Sequence, residues 1–452
     1  MYFFTLLVVK IIIKIFRFFG RGATNLPGKI ALFINPKILT KLTSGFRIIM
    51  ITGTNGKTTT TKIISKMLSL ENIHHISNTS GANLVSGITT TFIEGHTIFG
   101  KPKTNVALLE IDEASFFKIS KMISSIDCLI VTNFFRDQLD RCGELYTILQ
   151  SVLDGISNIS CKNLILNADD SLTSFLAKNF SGNVIYYGFS PLAYKPTSVV
   201  SNTDANFCIF CKNEYKYTNH TYNHLGGFYC DKCGYKKPNT DITCTNIDNL
   251  SPNFSNIKFK ILSDEYIAKL NITGLYNVYN SLCAISLGYL FRFDVKNIIK
   301  TLENFDSVFG RMETVNFFGK QIKLILVKNP AGFNQVIDCL LKEDSIQIAF
   351  LLNDNLADGT DISWIWDVNF EHLCSKNPTT LIGGKRAYDM AIRLKYAGIK
   401  NMSIINNYNL LLETGINNIK ENETFYILPT YTALLEIRSI LEKKINIKEF
   451  WK

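Results

Sequence analysis

At 452 residues the chain is longer than one ordinary hydrophobic core organises, so two or three domains are expected. Its 46% hydrophobic and 19% charged residues are those of a globular protein and exclude a disordered or fibrous chain. The net charge of +10 is spread out, which suits anionic ligands or an anionic surface and argues against a nucleic-acid-binding arm.

Residues 1–20 are apolar but interrupted by Lys10, Lys14 and Arg17, whose spacing places them on one helix face. No uncharged span long enough to cross a membrane remains, and no small-residue cleavage site follows. Residues 1–45 therefore read as an amphipathic helix and lead-in. The helix either lies on an anionic membrane surface or packs on its own domain with a snorkelling basic face. Eleven cysteines, an odd number without a secretory signal, point to a reducing, cytoplasmic compartment, peripheral at the inner face of the membrane if the helix lies on lipid.

The strand-like run 46–51 leads into Gly53-Thr54-Asn55-Gly56-Lys57-Thr58-Thr59, where a helical pattern opens. This layout cradles a nucleoside triphosphate. Amides of the turn and helix start face phosphate oxygens, and the two glycines allow close approach and positive φ. Lys57 would lie along the β- and γ-phosphates and the Thr58 hydroxyl would ligate Mg²⁺. The longer phosphate-loop pattern has Gly at 51, where Ile stands, so the shorter form carries the argument.

Up to about residue 200, apolar runs at 46–51, 106–111, 128–132 and 163–166 alternate with helical patterns, the signature of a parallel α/β sheet. Loops after such strands gather at one edge. Three of them carry carboxylates suited to Mg²⁺: Glu110 to Glu113, Asp137 to Asp140, and Asp169-Asp170. Between 201 and 245 the pattern breaks. Cys208-x-x-Cys211 and Cys230-x-x-Cys233 have the spacing of a closed, structural Zn²⁺ ribbon, with His220 and His224 as surface residues between them. Asn277 and Asn280 then share one face of a helix opened by Gly274. Gly310-Arg311-Met312-Glu313 marks a linker. A second α/β segment follows, with strands expected at 321–327, 346–352, 380–382 and 424–428.

Together these motifs resemble the Mur ligase superfamily, and within it the MurT-type subunit of lipid II isoglutaminyl synthase. The shared pieces are the 53–58 loop, Glu110, Thr132-Asn133 with Asp137, Asn167 with Asp169-Asp170, Gly274 with Asn277 and Asn280, and Gly310 to Glu313. The subtype rests on the four cysteines, on Lys328-Asn329-Pro330-Ala331-Gly332-Phe333-Asn334-Gln335, and on the run from Asn353 through Asp358-Gly359-Thr360-Asp361 to Asp367. The implied fold is α/β: a Mur-ligase-like central domain at 46–310 with an inserted ribbon, then a smaller Rossmann-like domain at 311–452.

The resemblance implies ATP-dependent amidation of the D-glutamate α-carboxylate of lipid II. Lys57 and the loop would hold ATP, Thr58 and Glu110 would hold Mg²⁺ with Glu113 as alternative, Asn277 would contact adenine, and Arg311 would neutralise phosphate charge. Gln138 stands where amino-acid-adding relatives usually have His. Lys328-Asn329-Pro330 replaces the motif that opens their C-terminal domain, which fits ammonia as the incoming nucleophile. Ammonia implies a glutaminase partner subunit, whose catalytic triad Asp358, or else Asp361, would complete. Trp364 and Trp366, alternating as strand neighbours would, are core or partner anchors. Two rivals are an amino-acid ligase of the Mur or folylpolyglutamate type and a zinc-ribbon nucleic-acid-binding protein.

Overall fold

The computed structural model describes the chain except residues 1, 19–23, 79–81, 138–143, 196–202, 251–253, 273, 306–310, 318, 344, 421–422 and 446–452. The larger sheet takes strands β1 (Arg47–Thr52), β2 (His75–Ser77), β3 (Val106–Glu110), β4 (Ser125–Val131), β5 (Ser160–Asn167) and β6 (Asn183–Phe189) from the first part of the chain. A separate hairpin, β7 (Lys216–Tyr222) and β8 (Leu225–Tyr229), interrupts it. Then β9 (Ile242–Leu250), β10 (Ser255–Ile261) and β11 (Asp264–Leu270) rejoin. The spatial order is β11-β10-β9-β6-β5-β4-β1-β3-β2. Pairing is parallel from β2 to β9 and antiparallel through β10 and β11.

β1 shows why the sheet is buried on both faces. Ile48 and Met50 face one core with the N-terminal helices, while Ile49 and Ile51 face another with the helix Leu275–Leu290. A strand with period two and apolar residues at every position suits only a sheet covered on both sides. Each such residue contributes about 1.5–3 kcal/mol on full burial. β1 lies between β3 and β4, so the connections leave it in opposite directions. That is the switch point where a crevice opens at the carboxyl ends.

The second sheet runs β12 (Arg311–Phe317), β13 (Lys320–Ile325), β17 (Thr424–Pro429), β14 (Gln347–Leu351), β15 (Thr379–Gly383) and β16 (Met402–Ile404) in spatial order. Only β12 is antiparallel to its neighbour. Alternation works here too: Ile348 and Phe350 enter one core, Ala349 and Leu351 the other. Trp364 and Trp366 are not strand neighbours. They lie on the 3-10 turn Ser363–Asp367, which buries Trp364 beside Phe333 and leaves Trp366 52% exposed.

The first helix, Tyr2–Phe18, packs on its own domain. Leu6, Val9 and Ile13 enter the core that holds Phe92. No described helix is long and apolar enough to cross a membrane.

Candidate active site

The loop after β1 is held in a left-handed conformation at two glycines. Gly53 has φ +116° and Gly56 has φ +89°. A Cβ on Gly53 would lie 2.4 Å from the Thr132 hydroxyl, and one on Gly56 would lie 2.1 Å from Asn280 Oδ1. The sequence β4–Thr132-Asn133 braces the loop from behind. Thr54 N donates to Asn133 O (2.9 Å), Asn55 N donates to Asn133 Oδ1 (2.9 Å), and Thr132 Oγ1 donates to Asn55 O (2.7 Å). The Thr54 hydroxyl donates to Phe135 O at 3.2 Å. Thr54 and Asn55 therefore shape the loop, and their amides do not face a ligand. The amides left for phosphate are those of the first helical turn, Lys57, Thr58 and Thr59, which have no acceptor within the helix.

Lys57 is buried. Its Nζ donates to Gly53 O, to Thr54 O (3.2 Å) and to Glu113 Oε2 (2.9 Å). Burial works against its charge, but Glu113, with Glu110 and Asp112 nearby, holds the ammonium above its ordinary range. The Thr58 hydroxyl donates to Glu110 Oε1 at 3.0 Å, which brings together the two groups expected to share Mg²⁺. Glu113, the alternative ligand, is committed to Lys57. Glu110 is fixed by Asn78, which accepts from Glu110 N (2.8 Å) and donates to Glu110 O (2.7 Å). Asn78 had no motif to announce it; it stands alone after β2.

The second sheet closes on the same loop. Lys328 Nζ donates to Asp137 Oδ2 (2.7 Å) and Thr54 O (3.3 Å), and Asn329 Nδ2 donates to Asn55 Oδ1 (3.0 Å). Between the two sheets lies a crevice lined by Asn55, Gly56, Tyr222, Tyr276, Val327 and Gly332. Asn277 is buried behind this wall, accepting from Asn280 Nδ2 at 3.1 Å. A second cleft of about 530 Å³ opens between the hairpin and the second sheet, with Arg136, Asp204, Tyr217, His220 and Asn334 on its walls. Arg136 follows the Phe135 that anchors Thr54, so this cleft adjoins the phosphate loop.

Two of the three carboxylate loops differ from expectation. Asp169 and Asp170 are fully buried and bonded to protein. Asp169 accepts from Phe189 N (2.9 Å) and Tyr279 Oη (2.6 Å) and pairs with Lys237. Asp170 accepts from Phe134 N (2.8 Å) and faces His224 Nε2 at 3.3 Å. They are structural anchors and not metal ligands. His224 is completely buried and no surface residue. Asp137 is held by Lys328. Gln138, Leu139, Asp140 and Gly310 lie outside the described residues, as does the side chain of Arg311.

The Sγ atoms of Cys208, Cys211, Cys230 and Cys233 all lie within 4.8 Å of one another, and no disulfide joins them. Four thiols so converged fit a tetrahedral metal with bonds of about 2.3 Å. The cluster sits at the end of the β7–β8 hairpin, which is tied to the sheet by Tyr235 Oη to Ser171 O (2.7 Å) and Gly226 N to Asp169 O (2.9 Å). Tyr222 of β7 reaches the crevice between the two sheets.

In the second domain, Asp358 is buried. It accepts from Thr432 N (2.7 Å), Thr432 Oγ1 (2.6 Å) and Asn355 N (3.2 Å). Asp361, half-buried, accepts from Ser363 N at 2.8 Å. Trp366 meets the 76%-exposed Tyr396 edge to face at 5.7 Å.

A phosphate loop at a sheet switch point, a Thr–Glu pair at the helix start and a second α/β layer closing over both define an ATP-dependent ligase of the Mur type. The Mur ligase middle domain matches residues 51–228, and the MurT ligase C-terminal domain matches residues 326–434. The chain is 37% identical to the lipid II isoglutaminyl synthase (glutamine-hydrolyzing) subunit MurT of Streptococcus pneumoniae, over 95% of this chain and 94% of that protein. It is 34% identical to the Staphylococcus aureus subunit of the same name, over 97% of each. Solved structures share the fold. A pseudomurein peptide ligase type C from Methanothermus fervidus superposes with a TM-score of 0.66 at 22% identity, covering 88% of this chain and 79% of that one. MurF from Acinetobacter baumannii gives 0.67 at 16%, covering 93% and 81%. The chain belongs to the MurT family of lipid II isoglutaminyl synthase subunits.

Proposed function

We propose that this chain is the synthetase subunit that amidates the D-glutamate α-carboxylate of lipid II to D-isoglutamine, at the inner face of the membrane, with ammonia from a glutaminase partner subunit. The observation that carries the reading is the convergence of Lys57, Thr58, Glu110, Lys328 and Asn329 on one phosphate loop. The substrate carboxylate attacks the γ-phosphorus of ATP, the bond to ADP breaks, and an acyl phosphate forms. Ammonia then attacks the acyl carbon, phosphate leaves, and the amide sheds a proton. Lys57 moves from Glu113 to the transferring phosphoryl group and balances its charge. Thr58 and Glu110 hold Mg²⁺, which supplies charge neutralisation at the phosphate oxygens. The fit is supported by the buried Thr59 hydroxyl at the helix start, which lacks a protein partner.

The crevice lined by Tyr222 and Tyr276 takes the adenine, with Asn277 behind it and Arg311 at the domain junction of 46–310 and 311–452. The cleft lined by Arg136 and His220 takes the stem peptide. Cys208, Cys211, Cys230 and Cys233 hold a structural Zn²⁺. Trp366 and Tyr396 offer aromatic anchors to the glutaminase. Asp358, held by Thr432, or else Asp361, which accepts from Ser363 N, completes the glutaminase's triad.

The test is mass analysis of lipid II incubated with this chain, ATP, Mg²⁺ and ammonium, and again with the glutaminase and glutamine. A one-amide change, lost on Lys57→Ala, supports the reading. Turnover with free amino acids instead would hand the chain to the amino-acid ligases.

A further inference from the structure

The first helix was expected either to lie on an anionic surface or to pack on its own domain with a snorkelling basic face. The structure ties two of the three basic residues to the helix's own domain. Lys10 Nζ donates to His96 O at 2.6 Å, and Arg17, still exposed, pairs with Glu94 at 2.6 Å. Between them and the exposed Lys14, most of the outward side is apolar. Phe4, Leu7, Ile11, Ile15 and Phe18 recur at intervals of three and four, which is one stripe of a helix, and each is between 48% and 86% exposed. The opposite face of the same helix is fully occupied by Leu6, Val9 and Ile13. The loop at Gly100 rests against the rings of Tyr2 and Phe3 and adds Phe99, 73% exposed, to the end of the stripe.

We infer that this stripe is a shallow membrane-insertion ridge that docks the enzyme on an anionic lipid surface. A helix that buries one face in protein and leaves a second, aromatic-rich face uncovered has the build of an interfacial anchor. Charge selects the occupant. The first 46 residues contain seven Lys and Arg and no Asp or Glu, and Lys14 stands exposed on the flank of the stripe. A second copy of the chain would bring two such segments together and repel, whereas acidic lipid headgroups complement them. The anchoring is through apolar side chains, with the basic flank orienting the helix. The inference takes from the proposed function only that the substrate is membrane-borne, and the two fail separately.

The experiment is co-sedimentation of the full chain with vesicles of phosphatidylcholine, with and without phosphatidylglycerol, and no lipid II. The full chain is expected to pellet with the anionic vesicles. The triple variant Leu7→Asp, Ile11→Asp and Ile15→Asp is expected to lose at least about tenfold in partitioning, with an unchanged melting temperature and unchanged amidation of detergent-dispersed lipid II. Lys14→Glu, a single exposed change, is expected to weaken binding to anionic vesicles alone. Equal binding of triple variant and parent would overturn the inference, as would a parent that stays in solution. Loss of glutaminase binding by the triple variant, with vesicle binding intact, would assign the stripe to that subunit instead. Vesicle binding as described without any amidation would sink the proposed function and leave the ridge standing.

Discussion

Lys57 and Gly56 make their demands at the scale of single atoms. On the proposed function, Lys57→Ala removes a buried cation of the phosphate loop, so ATP-dependent amidation should fall roughly 100- to 1,000-fold. The same change leaves Glu113 buried without its partner, and some stability should go with it. Coupled-enzyme kinetics and thermal melting separate the two effects. Gly56→Ala meets both a positive φ and the Asn280 amide, and about 1–3 kcal/mol of stability should be lost, read by urea denaturation. Residues of this kind divide sharply in how legible they were. Lys57, Thr58 and Glu110 announce themselves because their chemistry and their place after a strand agree. Asn78 does not, because it belongs to no motif and meets Glu110 only in the fold; Lys328 stood in a motif that was singled out, but its contact with Thr54, 274 residues away, was not foreseen. Asp169 and Asp170 mislead for the opposite reason. Acidic residues after a strand look the same in sequence whether they await a metal or already hold Tyr279 and His224.

At the scale of elements, the hairpin β7–β8 is the piece with least core of its own. Its packed interior is little more than Cys208, Tyr215, Phe228 and Cys230. If the four thiols hold the proposed Zn²⁺, such a module would depend on it for stability. A strong chelator, or Cys230→Ser, should release one Zn²⁺ per chain, lower the melting temperature by several degrees, and weaken ATP binding because Tyr222 lies on the same hairpin. Metal analysis and calorimetry check all three. Four strands of the larger sheet (β1, β3, β4, β5) and four of the second (β13, β14, β15, β17) were legible to within a few residues, since buried parallel strands are continuous apolar runs; β2, β6, β9 to β11 and β16 were not named, and β12 begins where a linker was expected. The turn Ser363–Asp367 was not legible. Residues two apart share one face of a strand, whereas this 3-10 turn buries Trp364 and exposes Trp366.

At the scale of the whole molecule, the contacts that matter join the two sheets. Lys328→Ala should raise KM for ATP severalfold and change kcat less, because it removes a tie between the domains and no reacting group. Trp366→Ala should weaken the complex with the glutaminase by roughly 10- to 100-fold in Kd while leaving ammonium-driven amidation intact; titration calorimetry and the ammonium assay distinguish the two. That a C-terminal α/β domain accompanies the larger sheet was legible from the chain, but its closure on the loop was not, because sequence carries no sign of which backbone a C-terminal lysine will meet.

The closure has a consequence for the way ATP enters. The carbonyls of Gly53 and Thr54 have the Lys57 ammonium as donor, and Asn329 bonds to Asn55. On the proposed function, a triphosphate that draws the Lys57 ammonium to itself exchanges one set of bonds for another, and its measured affinity is the difference between the two. Glu113→Gln, by loosening the incumbent, should therefore bind ATP more tightly than the parent even as it turns over more slowly, a split that equilibrium titration beside steady-state kinetics would reveal.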